Sequence, residues 1–247
     1  MKVYFIGAGP GDPELITVKG ARLIGECRVV IYAGSLVSKE ILRYASPDAE
    51  IYDSASMDLG QQIGVMQMAH ERGFSVARVH TGDPALYGAT GEQMRELDRL
   101  GIEYETVAGV TSMAASAAAL NRELTMPEVS QTVIITRTPG RTPMPENIRD
   151  IAKVGGTIAF FLSAGQGRYI SENLIQEGWP EDTPVALVYR ATWPDQKTAE
   201  CTLKDLAETL QNNNMTKQTM ILVGRSMKGS PDKDSKLYDK NFSHEYR

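Results

Sequence analysis

Short apolar, β-branched runs alternate with stretches of helical period along the first half of this chain, and that alternation limits the fold to a small set. Val3, Tyr4, Phe5 and Ile6 have strand character, as do Val29–Tyr32, 75–80 and Tyr104–Val107. Between them, 61–72 sets Ile63, Met66 and Ala69 at helical spacing, and 91–100 does the same with Met94, Leu97 and Leu100. Strands separated by helices predict a parallel sheet covered by helices, an α/β fold. The alanine-rich stretch 112–120 reads as a buried helix with Ser112 as its N-cap. Residues 121–131 then break the pattern with Pro127 and mixed charges, which places a domain boundary there: 1–120 and 121–247. A second α/β series follows. Its expected strands are 132–136, Thr157–Phe161, Pro184–Tyr189 and Thr219–Val223, and its expected helices are 147–153, 168–177 and 203–211, the last capped by Thr202. Two α/β domains imply an active-site cleft between them, where small ligands usually bind. The polar tail 228–247 carries Tyr238, Phe242 and Tyr246, read as anchors of an arm on the domain surface.

The first strand runs into Gly7-Ala8-Gly9-Pro10-Gly11-Asp12-Pro13. A strand entering a glycine-rich turn suggests a dinucleotide site, but the pattern G-x-G-x-x-G needs a third glycine where Asp12 stands. A carboxylate at the mouth of a phosphate cradle repels the phosphate, and two prolines remove backbone donors. No Gly-Lys-Ser or Gly-Lys-Thr follows, so a P-loop is excluded as well. The turn is a shaped backbone surface for something other than phosphate.

Two further turns follow strands. Thr81-Gly82-Asp83-Pro84-Ala85-Leu86-Tyr87-Gly88 leaves the strand at 75–80, and open α/β sheets bind ligands outside the carboxyl ends of their strands. Gly82 permits close approach to the backbone, and Asp83 could accept hydrogen bonds from a ribose or an ammonium group. Gly109-Val110-Thr111-Ser112 leads into the alanine-rich helix and offers free N–H groups and two hydroxyls. Taken alone, the first is compatible with a plain Asp-Pro turn and the second with helix capping, and a shared sheet edge is what favours a site.

Composition narrows the partners. The 247 residues are 42% hydrophobic and 23% charged, ordinary for a soluble globular protein, and the net charge of -5 argues against general affinity for nucleic acid or anionic membranes. Cys27 and Cys201 stand far apart and read as reduced structural thiols of a cytoplasmic protein. His70, His80 and His244 are too scattered for a zinc site, so no protein-bound metal is expected, and His80 reads as structural. Neither a signal peptide nor a membrane-spanning helix is expected.

The three glycine turns occur in the order and spacing of the tetrapyrrole methylases, which the chain resembles along essentially its whole length. Later blocks, Ala159-Phe160-Phe161-Leu162-Ser163-Ala164 and 184–192, continue the resemblance. Within the family, 32–37, 80–84, 123–131 and 136–143 resemble the branch that methylates C11 of precorrin-4 or its cobalt form in cobalamin synthesis. The resemblance implies two α/β domains of the class III methyltransferase type and a likeness to cytoplasmic homodimers that use S-adenosylmethionine. It assigns the methyl donor to Pro10, Thr81, Gly82, Asp83, Leu86, Thr111, Ser112, Leu162 and Ala191. At 191 several relatives carry glycine, so the methyl of Ala191 would narrow the adenosine pocket. The implied substrate is an anionic tetrapyrrole, for which Gly9, Asp12, Arg137 and Arg141 are candidates, the arginines as carboxylate binders. No catalytic base is assigned, because a sulfonium methyl is already electrophilic; Asp12 or a water could take a departing proton. The alternatives are the same fold acting at another corrin position or on a ribosomal RNA ribose or a diphthamide precursor, a nucleotide-dependent oxidoreductase, and a non-catalytic binding module.

Overall fold

The computed structural model describes residues 1–140, 142–229 and 243. Arg141 and the tail aromatics Tyr238, Phe242 and Tyr246 lie outside the described residues. The chain divides into two compact units, Met1–Ala115 and Ser116–Arg247, with the division inside the alanine-rich helix, five residues ahead of the expected boundary between 120 and 121.

The first unit is a helix-covered sheet of five parallel strands in the order β3-β2-β4-β1-β5. The strands are β1 (Val3–Gly7), β2 (Val29–Tyr32), β3 (Glu50–Asp53), β4 (Val76–His80) and β5 (Tyr104–Val107), and the helices are α1 (Val18–Glu26), α2 (Leu59–Glu71) and α3 (Thr90–Leu100). Every residue of β4 is buried, because helices cover both sheet faces and no polar alternation is needed. On one face Ile6, Ala77, Val79 and Val107 pack with Leu23 and Ile24 of α1. On the other, Phe5 and Ile31 meet Ile63, Met66 and Ala69 of α2 and Leu97 of α3. The helix at 61–72 starts earlier than its apolar pattern, because Asp58 and Gln61 form a capping box ahead of it. Leu100 proves exposed: it is the last residue of α3, beside the left-handed Gly101 that ends the helix.

The alanine-rich helix α4 (Ser112–Ala119) follows, with Ala115, Ser116 and Ala117 buried. Its cap is Thr111, not the expected Ser112: the Met113 N–H donates to Thr111 Oγ1 at 3.4 Å and the Ala115 N–H to the Thr111 carbonyl.

The second unit is a mixed sheet in the order β6-β7-β10-β8-β9. Its elements are β6 (Val133–Arg137), α5 (Ile148–Val154), β7 (Thr157–Phe161), α6 (Gly167–Gln176), β8 (Pro184–Tyr189), β9 (Lys197–Thr202), α7 (Leu206–Asn212) and β10 (Thr219–Val223). Only β6 and β7 pair in parallel; β10 runs antiparallel between β7 and β8, and β9 antiparallel to β8. The carboxyl ends of β6, β7 and β8 therefore lie on one sheet edge, together with the start of β10. Phe160, Ile170, Leu174, Leu187, Leu206 and Ile221 are central to its core. The helix expected at 203–211 begins with a 3-10 turn, and Thr202 does not cap it: its hydroxyl donates to the Asp205 carboxylate.

Candidate active site

The loops after β1 and β4 join across the carboxyl edge of the first sheet. The Gly9 N–H donates to the Gly82 carbonyl at 3.2 Å and the Gly82 N–H to the Gly9 carbonyl at 2.8 Å, an antiparallel bridge between two parallel strands. The Ala8 N–H donates to the His80 carbonyl. The loop after β5 closes on them. A Cβ built at Gly109 would fall 2.1 Å from the Gly82 oxygen, and one at Gly7 would fall 2.6 Å from the Gly109 Cα. Glycine at 7 and 109 is thus demanded by backbone meeting backbone. Gly82 differs: an added Cβ would find only ordinary contacts, 3.8 Å from Thr111 Cα and 3.9 Å from the Ser112 nitrogen, but its φ of 61° favours glycine.

Asp83 holds this arrangement in place. Its Oδ1 accepts the Ala85 N–H and its Oδ2 the Gly109 N–H, each at 2.8 Å. The carboxylate thereby ties the β4 loop to the β5 loop. Thr81, Asp83, Leu86, Thr111 and Ser112 are all half-buried, whereas Gly9, Pro10 and Gly82 are buried. Asp12 is half-buried and caps the 3-10 turn Pro13–Leu15, accepting the Glu14 N–H at 2.8 Å. The structure thus gathers Gly9, Pro10, Thr81, Gly82, Asp83, Thr111 and Ser112 onto the turns at the ends of the adjacent strands β4, β1 and β5.

Behind the edge, two polar residues that the strand pattern leaves unexplained share the α2/α3 face of β4. Arg78, 5% exposed, donates through Nε to Gln93 Oε1 at 3.1 Å, and Gln93 in turn donates to the Ala89 carbonyl, bracing the end of the β4 loop. Burial lowers the Arg78 pKa to about 10. His80, also 5% exposed, lies 5.9 Å from the Phe5 ring. Burial first, and then the Arg78 charge, push its imidazole down to about 3, so it is neutral near pH 7. An arginine inside a fully buried strand was the signal in the sequence for this brace.

In the second unit the remaining candidates sit on one strained edge. Leu162, directly after β7, is 72% exposed at φ 53°. Ala191 is buried between Arg190 and Thr192, at φ 45° and 68°. The Arg190 N–H donates to the Gln218 carbonyl, its guanidinium pairs with Asp195 at 2.8 Å and lies 4.1 Å over the Trp193 ring, and the Thr192 N–H donates to Gln196. Gln218, which precedes β10, has φ 48°. Left-handed backbone at four non-glycine residues costs of order 1–2 kcal/mol each and persists only where the surroundings enforce it. Arg137 is turned to its own loop: its guanidinium donates to the carbonyls of Thr138, Thr142 and Pro143. Ser163, missed in the sequence, joins β6 to β7 by accepting the Thr138 N–H at 2.7 Å and donating to the Phe161 carbonyl.

Among the described residues no group of three or more His, Cys, Asp or Glu is placed to hold a metal ion, and no helix is long and apolar enough to cross a membrane. Cys27 and Cys201 are free thiols, and burial pushes Cys27 up to about 12.

The amides that a phosphate cradle would use, those of Ala8, Gly9, Gly82 and Gly109, all donate to neighbouring groups, which sets this edge apart from dinucleotide-binding sheets. Solved methyltransferases superpose on the chain, and that is its class. A cobalt precorrin-4 methyltransferase, a cobalamin biosynthetic enzyme, aligns with TM-score 0.90 and 50% identity over 92% of this chain and 96% of that one. A uroporphyrin-III C-methyltransferase from Thermus thermophilus, solved in complex with S-adenosylhomocysteine, aligns with TM-score 0.75 and 27% identity over 92% and 94%. The family model of the tetrapyrrole (corrin/porphyrin) methylases matches residues 2–207, and the chain belongs to that family. A cobalt-precorrin-4 C(11)-methyltransferase of Methanocaldococcus jannaschii is 52% identical over 248 aligned positions, covering 100% of this chain and 96% of the relative.

Proposed function

We propose that the protein transfers the methyl group of S-adenosylmethionine to C11 of precorrin-4 or cobalt-precorrin-4. The observation that carries this reading is the full-length match, at 52% identity, to a relative named for that reaction. The site fits the donor: the amides of Ala8, Gly9, Gly82 and Gly109 are bonded within the edge, and the open side of Gly82 faces Thr111 and Ser112.

S-adenosylmethionine supplies an electrophilic methyl, so the residues have to bind, align and exclude water rather than provide a nucleophile. Pro10, Thr81, Gly82, Asp83, Leu86, Thr111 and Ser112 hold the donor; the assignment of Leu162 and Ala191 to it rests on family resemblance. Asp83 acts by holding the β4 and β5 loops at fixed separation. Family resemblance assigns Gly9, Asp12, Arg137 and Arg141 to the tetrapyrrole. With its guanidinium bonded to the carbonyls of Thr138, Thr142 and Pro143, Arg137 contributes chiefly by holding those residues in place. As the methyl–sulfur bond breaks and the methyl–carbon bond forms, positive charge appears on the conjugated macrocycle and is discharged by loss of a proton. The same reading takes the enzyme as a cytoplasmic homodimer, with any cobalt carried by the substrate. Family resemblance supports the dimer, and the charge of -5 supports a site away from nucleic acid and anionic membranes.

Calorimetry with the purified protein tests the donor assignment. S-adenosylhomocysteine binds and NAD does not; binding of NAD without S-adenosylhomocysteine overturns the reading.

A further inference from the structure

The stretch 32–37, singled out in the sequence, has no part in the site described so far. It leaves β2, whose neighbour in the sheet is β4, and the Ala33 N–H donates to the Val79 carbonyl. Over it stands Asp53, the last residue of β3. Its Oδ1 accepts the Gly34 N–H at 3.1 Å and the Ala55 N–H at 2.9 Å, and its Oδ2 accepts the phenol of buried Tyr32 at 3.2 Å. The fit is tight on one side: a Cβ at Gly34 would lie 2.3 Å from Oδ2. The carboxylate thus occupies the space that a side chain at 34 would take. On the other side it is open. Asp53 is exposed, and Leu36, in the same turn, leaves 39% of its surface to solvent. Among the described residues Oδ2 has one hydrogen-bond donor, which leaves it a lone pair to spare.

We infer that Asp53 is a further substrate-contacting residue, accepting a hydrogen bond from a ring N–H of the tetrapyrrole, whose apolar face lies against Leu36. This rests on the reading above. Three arguments carry it. Ligands of parallel sheets lie outside the carboxyl ends of the strands, which is where Asp53 stands. A fixed anion repels the carboxylates of an acidic tetrapyrrole, so what it selects is the N–H lining of the ring, and it favours the positive charge that methyl transfer places there. Strands lie about 4.8 Å apart, which puts β3 roughly 10 Å from β4. A broad macrocycle spans that distance, whereas the donor assigned to the β1, β4 and β5 turns does not need to. The hydrogen bonds from Ala55, Gly34 and Tyr32 also hold the Asp53 pKa below the usual carboxylate range, which keeps the acceptor ionised.

An ammonium group of the donor has the same chemistry as a ring N–H, so the test separates the two. Asn caps a turn as well as Asp does, so Asp53→Asn keeps the acceptor for Ala55 and Gly34 while removing the charge, and Asp53→Ser provides a second neutral cap. Turnover of precorrin-4 and its cobalt form is measured beside calorimetry with S-adenosylhomocysteine and thermal unfolding. The expected result is a loss of kcat/KM for the tetrapyrrole of about 10- to 100-fold in both variants, the worth of a hydrogen bond to a charged group, with donor affinity and melting temperature close to wild type. Wild-type turnover with equally active variants overturns this inference alone. A parallel loss of donor affinity reassigns Asp53 to the donor, and early melting of both variants with loss of donor binding reassigns it to loop structure; either overturns the inference. A wild type that methylates neither substrate overturns the functional reading and the inference with it.

Discussion

Asp83 Oδ2 accepts the Gly109 N–H at 2.8 Å, so one carboxylate fixes the distance between the two turns that leave β4 and β5. Seen from the sequence, Asp83 is a ligand contact. In the fold it is also a brace, and the two roles make different demands on a substitution. Asp83→Ala leaves the Gly109 and Ala85 N–H groups without their acceptor, so stability falls by about 1–3 kcal/mol. Affinity for S-adenosylhomocysteine falls as well, because the loops lose their spacing. Urea denaturation and calorimetry measure the two; unchanged donor affinity removes Asp83 from the site.

The glycines of the edge separate into two kinds. Gly109→Ala drives a methyl to 2.1 Å from the Gly82 oxygen and requires backbone to move, so the variant loses donor binding. Gly64, inside α2, has nothing within 4 Å of a built Cβ, and Gly64→Ala stabilises by about 0.5–1 kcal/mol. Paired measurements of melting temperature and donor affinity check the contrast. An equally tolerated Gly109→Ala would contradict the backbone packing described here.

Leu162 is an exposed apolar residue held in left-handed backbone. Leu162→Gly relieves about 1–2 kcal/mol of strain and returns about 0.5–1 kcal/mol to chain entropy, leaving stability equal or higher by up to ~1.5 kcal/mol. Donor affinity falls, because the side chain that the strain holds out is gone. A variant less stable than wild type with full donor affinity contradicts this assignment.

His80 gives the stability a pH dependence. Its folded pKa is near 3 against an unfolded value near 6.5, so below pH 6.5 the unfolded chain takes up a proton that the folded chain refuses. Stability from this group is fully present above about pH 6.5 and is lost as pH falls toward 3, with a slope of up to about 1.4 kcal/mol per pH unit. His80→Phe, which keeps an aromatic ring beside Phe5, flattens that part of the profile. Denaturant midpoints of both proteins between pH 4 and 7 decide it; parallel profiles would refute the assignment.

Much of this architecture is written in local patterns. The strands Val29–Tyr32, Tyr104–Val107, Thr157–Phe161, Pro184–Tyr189 and Thr219–Val223 match their apolar runs residue for residue, because most are buried and bounded by turn-forming residues. The strands without a sequence signal are β3 and β9. Both are sheet edges without a clean apolar face: β3 exposes Ile51 as well as Asp53, and in β9 Ala199 and Cys201 pack against the core. The three glycine turns were legible because each follows a strand. That Gly7 and Gly109 are forced by contact with each other, that Arg78 braces Ala89 through Gln93, and that Asp53 fills the space over Gly34 all depend on strand order and register. A single sequence does not specify those, since Gly7 and Gly109 lie 102 residues apart along the chain (109 − 7). Arg137 was legible by residue type alone; that three carbonyls of its own loop accept from its guanidinium is visible only in the fold.

The central claim is methyl transfer to one carbon of one macrocycle. The most direct measurement is incubation of the purified protein with methyl-labelled S-adenosylmethionine and precorrin-4, metal-free and cobalt-loaded in parallel, with the labelled carbon located by NMR. The expected result is a single new methyl at C11 in at least one of the two substrates, with formation of S-adenosylhomocysteine. A methyl at another position, or no transfer to either substrate by protein that binds S-adenosylhomocysteine, would contradict the account.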